Sequence, residues 1–135
     1  MARVNRIELF SLIGAGAVGA GVHAAIAPEH MREWMPLGAS FVAVAVLLAA
    51  AGAALALRPG DRRPVAAMGI LLATVAGAYV VTRLVAIPPL DPEREPFDAF
   101  GICTSAIEVF GLVVAVHIHR PRTRLQLMLS TGGRR

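Results

Sequence analysis

The segment Ile7–Ala27, with the sequence IELFSLIGAGAVGAGVHAAIA, decides the fold. As a helix it would be about 31 Å long, which matches the roughly 30 Å thickness of the hydrocarbon layer of a bilayer. Three similar apolar segments follow, at residues 37–57, 65–87 and 97–119. The pattern predicts an all-α, four-helix transmembrane bundle with up-down-up-down topology, forming one integral membrane domain over residues 1–135.

The composition agrees with a protein that lives in lipid. Hydrophobic residues make up 56% of the 135 residues and charged residues only 16%, against about 25% in soluble domains. The sequence pI of about 11 would suggest nucleic-acid binding in a soluble protein. Here the arginines flank the apolar segments, so we expect a lipid bilayer as the partner and no nucleic acid. The single cysteine, Cys103, excludes an intrachain disulfide and a CxxC site. Its apolar setting in the fourth span predicts a buried, unreactive thiol.

Two other interpretations of the first segment are set aside. Gly14–Gly19 matches the dinucleotide pattern G-x-G-x-x-G, but no alternation of strands and helices surrounds it. The basic start and Ala25–Ala27 are typical of a cleaved signal peptide, but the apolar run is long for one. We therefore treat it as a retained first span whose Gly and Ala residues, four apart, let helices approach closely in lipid.

The polar segment after this span, PEHMREW at residues 28–34, predicts a short helix lying in the membrane interface. Pro28 suits the first turn of a helix, and Glu29 complements its dipole. Met31 and Trp34 fall on one apolar face, with Trp34 as the interfacial anchor, and Pro36 ends the element.

The other connections differ in character. Residues 58–64 form a tight turn around Pro59-Gly60, which forces the second and third spans into an antiparallel hairpin. Residues 88–96 contain four prolines and four charged residues, which predicts a stiff, extended external loop. Residues 120–135 form a basic tail.

The distribution of arginines predicts the orientation. The N-terminus, the middle turn and the C-terminal tail hold ten of the thirteen arginines, whereas the first and third connections hold Arg32, Arg94 and most of the acids. The positive-inside rule then places both termini in the cytoplasm of a multi-pass protein of the plasma (inner) membrane.

Glu108 is the one acid deep within a span, and Arg83 is its natural partner. Three interpretations stay open: a structural ion pair between spans three and four, an acid that binds a ligand or carries a proton, and a neutral carboxyl hydrogen-bonded to Tyr79, Thr82 or Thr104. His23 is at a similar predicted depth, and two interpretations stay open for it. It is either a lone histidine hydrogen-bonded to a backbone carbonyl or a water, or a member of one polar cluster of His23, Arg83 and Glu108 on the outer side.

A divalent metal such as zinc or copper is a second possibility for the outer side, with ligands from His23, Glu29, His30 and Glu33. The spacing of these residues is not diagnostic, and a solvated polar face explains them better. A transmembrane haem is not expected, because His23 and His117 fall at opposite ends of their spans. No catalytic arrangement and no cofactor-binding motif is recognisable.

At His23, Pro28–Trp34, Thr82-Arg83, Pro88–Phe97 and Glu108, the chain resembles small four-span membrane proteins of the kind abundant in actinobacteria. Its general plan is more loosely similar to the DoxX-like group. The resemblance implies a four-helix membrane bundle with an outward polar cluster, and it supplies no catalytic residues.

Three functions are compatible with these features. The leading interpretation, favoured by the small-residue faces, is a membrane protein of unknown biochemical activity that acts by association, as a homo-oligomer or as an accessory subunit of a larger membrane complex. The polar cluster favours a protein that binds a small molecule or a metal in an outward-facing pocket. Glu108 alone would suit a proton-coupled transporter or a membrane enzyme, which would need a dimer to build a pathway.

Overall fold

The computed structural model describes residues 5–88 and 96–120, and this part of the chain contains four helices and no strand. The helices are α1 (Arg6–Glu33), α2 (Met35–Leu57), α3 (Arg62–Leu84) and α4 (Ala99–His119). Each is long and apolar enough to cross a membrane. The predicted all-α, four-helix bundle is confirmed, and it fits a multi-pass membrane protein.

The helix boundaries follow the predicted spans closely for α2 and α4. Helix α3 begins at Arg62, three residues before the predicted start, because the Asp61 side chain accepts a hydrogen bond from the Arg63 N–H at 2.9 Å and caps the helix. It ends at Leu84 rather than at Ile87. Most of the predicted external loop and of the basic tail lies outside the described residues.

The first helix differs most from the expectation. α1 continues through Pro28 to Glu33, so the predicted short interfacial helix does not exist as a separate element. Trp34 alone, in an extended conformation, separates α1 from α2. A proline inside a helix removes one backbone hydrogen bond. Just beyond it, Gly38 of α2 lies directly against the backbone of Met31. At 28 residues, α1 is about 42 Å long.

Within the described residues, each helix packs against its neighbour in the chain, and α4 packs back against α1. The helices therefore form a closed ring. We call the end of the bundle that carries Trp34 and Asp98 the Trp34 end, and the opposite end, which carries the turn after Arg58, the Arg58 end. Glu8 of α1 and His117 of α4 meet near the Arg58 end at 3.5 Å.

The two halves of the bundle are packed differently. In the half toward the Arg58 end, an apolar core fills the space between the helices, and its members are buried. Those with no exposed surface are Leu12, Leu48, Leu55, Met68 and Leu72. The half toward the Trp34 end contains the buried polar side chains His23 and Thr104, and Glu108 lies where the two halves meet.

The outer surface of the bundle is apolar, as expected for helices that face lipid. Large hydrophobic side chains on all four helices are well exposed, among them Phe10, Val46, Ile70, Phe110 and Val113. Arginines and acids lie mainly at the helix ends and in the connections.

Candidate functional site

A cavity of about 360 Å³ lies between the helices in the half toward the Trp34 end. Each of the four helices contributes to its wall. This size is at the lower end of the range that is usual for small-molecule sites. The wall mixes apolar side chains with hydroxyl groups, rings and a few ionisable groups; the polar and aromatic members are His23, His30, Ser40, Phe41, Thr74, Tyr79, Thr82, Arg83, Asp98, Phe100, Thr104, Ser105 and Glu108.

Glu108 is the most deeply buried ionisable group in this wall, with only 1% of its surface exposed. It lies about 14 Å along α4 from the first residue of the helix, which corresponds to the middle of a bilayer. Its carboxyl lies close to α1, where the absence of a side chain at Gly19 leaves room: a Cβ there would be 3.6 Å from Oε1 of Glu108. Among the described residues, Oε1 has no hydrogen-bond partner.

The groups that the sequence offers as partners for a neutral Glu108 are all engaged elsewhere. The Tyr79 hydroxyl donates to the carbonyl oxygen of Asp98 at 3.3 Å. Thr82 donates to the carbonyl of Tyr79 at 3.1 Å, and Thr104 donates to the carbonyl of Phe100 at 2.9 Å. The hydrogen-bonded neutral carboxyl considered from the sequence is therefore not formed by these three side chains.

Arg83 lies at the mouth of the cavity, near the end of α3, and pairs with Asp98 rather than with Glu108. Its guanidinium is 3.5 Å from the Asp98 carboxylate, bonds the Thr82 hydroxyl at 3.1 Å, and lies over the Tyr79 ring at 4.4 Å from the ring centroid. The ion pair between Glu108 and Arg83, one of the three interpretations left open by the sequence, is not formed, because Asp98 caps α4 beside the last turn of α3 and Glu108 lies far below that level.

Asp98 is fixed by the start of α4. Its carboxylate accepts a hydrogen bond from the Gly101 N–H at 2.7 Å. This bond, and next to it the nearby Arg83 guanidinium, hold the pKa of the Asp98 carboxyl below its ordinary value. Asp98 is thus ionised at neutral pH and holds Arg83 at the mouth.

His23 lines the cavity at about the depth of Glu108, roughly 15 Å from the end of α1. Because α1 is longer than predicted, His23 is deeper than the sequence suggests. It is 7% exposed, and its Nδ1–H donates to the carbonyl of Gly19 at 2.8 Å. The other ring nitrogen, Nε2, is therefore an acceptor in the neutral ring.

The three members of the predicted polar cluster line one cavity, with His23 and Glu108 deep and Arg83 at the mouth. The predicted metal ligands are less well assembled. His30 contacts Glu33 at 3.2 Å, whereas Glu29 is exposed and does not line the cavity. Within residues 5–88 and 96–120, no three His, Cys, Asp or Glu side chains are grouped as a metal site requires.

Some of the wall could not have been recognised in the sequence. Phe41 lies between two histidine rings, with ring centroids 4.7 Å from His30 and 5.4 Å from His23. Phe41 and Phe100 are apolar residues on apolar helices, and nothing in their spacing distinguishes a cavity wall from a lipid-facing position. Cys103, for which we expected a buried thiol, is exposed on α4 and is not in the wall.

Comparisons of the chain with protein-family models, with curated proteins and with solved structures give no match. The resemblance to small four-span and DoxX-like proteins stays a prediction, and the function has to be inferred from the cavity itself.

Proposed function

We propose that this protein binds a small amphipathic molecule in the cavity at the Trp34 end, with Glu108 as the buried anchoring group. The supporting observation is the Glu108 carboxyl, which is 1% exposed, lies against a cavity and has an oxygen without a partner among the described residues. The arginine distribution supports a cavity that opens to the outer side of the plasma membrane, with both termini in the cytoplasm.

The energetics favour a ligand-binding role for this carboxyl over a structural one. An acid near the middle of a membrane span costs about 2.5–3.5 kcal/mol on insertion scales. A structural acid offsets this cost by pairing within the bundle, which Glu108 does not do among the described residues. A ligand that hydrogen-bonds to Oε1 would supply the missing interaction, and the apolar part of the wall would hold the rest of the molecule.

Thermal-shift screening of the purified protein tests this proposal. A panel of small amphipathic compounds that are cationic, neutral or anionic would be compared on wild type, Glu108→Gln and His23→Ala. We expect compounds that raise the melting temperature of wild type and lose this effect in the two variants. Glu29→Gln is the matched control, because it removes an exposed carboxyl that does not line the cavity.

The proposal fails if no compound of any charge distinguishes wild type from Glu108→Gln and His23→Ala. Metal analysis of the same preparations tests the metal-binding alternative, which has less support because His23, Glu29, His30 and Glu33 are not gathered into one site among the described residues.

Association is the second candidate, as a homo-oligomer or as a subunit of a membrane complex. Part of the small-residue surface of α1 is used inside the bundle, since Ala15, Gly16 and Gly19 are buried. At Gly14 and Gly21, by contrast, no described atom lies within 4 Å of the place that a Cβ would occupy, so these positions leave room for a second helix. Mass spectrometry from native membranes that shows only a lone monomer would contradict this candidate.

A further inference from the structure

The chemistry of the cavity wall restricts the ligand to one class. Resting on the proposed binding function, we propose that the ligand is an organic ammonium: a protonated amine with an apolar substituent, whose N–H points at Glu108 and whose substituent lies among the rings of the wall. Three independent properties of the wall support this choice: its balance of donors and acceptors, its charge and its aromatic content.

The hydroxyl donors of the wall are almost all engaged, and the N–H groups of Arg83 lie at the mouth rather than beside Glu108. The hydroxyl groups of Ser40, Thr74, Thr82 and Thr104 donate to carbonyl oxygens of their own helices, and Tyr79 donates to the carbonyl of Asp98. The Nδ1–H of His23 is used by the carbonyl of Gly19. Ser105 is the one wall hydroxyl with no hydrogen bond among the described residues.

The hydrogen-bond acceptors deep in the cavity, in contrast, receive no hydrogen bond from the described residues. Oε1 of Glu108 has no partner in the described part of the chain, and Nε2 of His23 is left as an acceptor by the bond at Nδ1. A buried acceptor without a donor is costly, and more so when it is charged. The open acceptors deep in the cavity therefore favour a ligand that brings N–H or O–H groups.

The charges favour a cation over a neutral donor. Besides the Tyr79 hydroxyl, the ionisable groups facing the cavity are His23, His30, Arg83, Asp98 and Glu108. Arg83 and Asp98 lie 3.5 Å apart at the mouth and offset each other. Glu108 has no cationic partner among the described residues, so a ligand that supplies a positive charge at this depth would gain a charge-assisted hydrogen bond in a low-dielectric setting.

The rings of the wall suit a cation with apolar substituents. Phe41, Tyr79 and Phe100 come from three different helices and all line the cavity. Tyr79 already holds a cation on its ring, since the Arg83 guanidinium carbon is 4.4 Å from the centroid. Aromatic faces attract ammonium groups electrostatically and contact alkyl or aryl substituents by dispersion.

A pair of probes that differ only in the charged atom tests the proposal. N,N-dimethylbenzylamine is protonated at neutral pH, and isobutylbenzene has the same shape with a C–H in place of the N–H. Binding of both would be measured by calorimetry on the full chain in nanodiscs of zwitterionic lipid, with empty nanodiscs subtracted. We expect wild type to bind the ammonium at least tenfold more tightly than the hydrocarbon.

Variants assign the preference to the site. In Glu108→Gln, we expect the affinity for the ammonium to fall at least tenfold and the affinity for isobutylbenzene to change by less than threefold. Glu108→Asp keeps the charge and should keep the preference, and Glu29→Gln should behave as wild type. Phe41→Leu should lower the affinity for the ammonium by about two- to fivefold, because the substitution removes an aromatic ring and keeps an apolar side chain. A thermal unfolding transition in each variant shows that it is folded.

Three outcomes would overturn the ammonium assignment: equal or tighter binding of isobutylbenzene by wild type, unchanged ammonium binding in Glu108→Gln, or no ammonium binding at all. If neutral or anionic compounds of the screening panel still depend on Glu108, the cavity remains a binding site and only the ligand class is wrong. If no compound depends on Glu108 and His23, the proposed function itself fails.

Discussion

Asp98 holds the mouth of the cavity together through two contacts that belong to different helices. It caps α4 through the Gly101 N–H and pairs with Arg83 at the end of α3. The side chain is 47% exposed, so its ion pair is screened by solvent and contributes modestly to stability. The cap is the larger contribution, because it satisfies an N–H group that the helix itself leaves without a partner.

We expect Asp98→Ala to lower the free energy of unfolding by about 1 kcal/mol, the usual effect of losing an N-cap. Asp98→Asn should retain most of the cap. Thermal unfolding in detergent micelles, followed by circular dichroism, measures both variants. Equal stabilities of wild type and Asp98→Ala would show that the cap does not contribute.

The pH dependence of this effect has a defined sign. The folded protein lowers the pKa of the Asp98 carboxyl below its ordinary value of 3.8, so folding favours the ionised form. The resulting stability is fully present above about pH 4 and is lost as the pH falls through the lowered value. The stability difference between wild type and Asp98→Asn should therefore shrink at acidic pH, and a difference that grows there would contradict the assignment.

Some residues of the site could be predicted from the sequence, and the contacts of others could not. A lone acid in an apolar span identified Glu108 as a site residue, since only a functional or paired carboxyl is tolerated there. The pairing of Arg83 with Asp98 instead of Glu108 could not be predicted, because the level of Arg83 relative to Asp98 depends on where α3 ends and α4 begins. The role of Phe41 depends on the rotation of α2 within the bundle, which a uniformly apolar sequence does not specify.

At the scale of the helices, the lengths of the apolar segments predicted the four spans correctly. The end of the first helix was predicted wrongly because of Pro28. Proline is common at a helix start, so a new helix at residue 28 was the natural interpretation. α1 instead continues through Pro28 to Glu33, and Gly38 of α2 lies against the Met31 backbone in this last part of the helix. Such a contact joins residues on two helices, and it appears only once the helices are assembled.

Glycine sets the distance between α4 and its neighbours. A Cβ at Gly111 would be 2.7 Å from both the Ala15 Cβ of α1 and Leu72 Cδ1 of α3. We expect Gly111→Ala to destabilise the bundle by about 1–3 kcal/mol, as overpacking does in well-packed cores. Gly77→Ala is the matched control, because Gly77 is a helical glycine with nothing near its Cβ position.

The control should unfold at the same temperature as wild type or slightly higher, because alanine is the better helix former by about 0.5–1 kcal/mol. Thermal unfolding in the same detergent compares the two variants directly. If Gly111→Ala were as stable as Gly77→Ala, the close approach of α4 to α1 and α3 would not be required by the fold.

At the scale of the whole molecule, the arginine distribution predicts which end faces the cytoplasm. In a Cys103→Ser background, a cysteine introduced as Glu33→Cys lies at the Trp34 end, and one introduced as Gly60→Cys lies in the turn at the Arg58 end. A membrane-impermeant maleimide should label the Glu33→Cys variant in intact cells. The Gly60→Cys variant should react only after lysis.

The reverse labelling pattern would place the cavity on the cytoplasmic side and the positively charged turn outside. Equal labelling of both variants in intact cells would contradict a single orientation. Neither result would change the internal arrangement of the cavity, which follows from helix packing and not from the side that the Trp34 end faces.

Tight packing on the Arg58 side of Glu108 has a consequence for transport across the membrane. The side chains packed there are Leu12, Leu48, Met68 and Leu72. None of these side chains lines the cavity. We therefore expect a molecule bound beside Glu108 to exchange at the Trp34 end, and we do not expect a single copy in this conformation to carry it through to the Arg58 end.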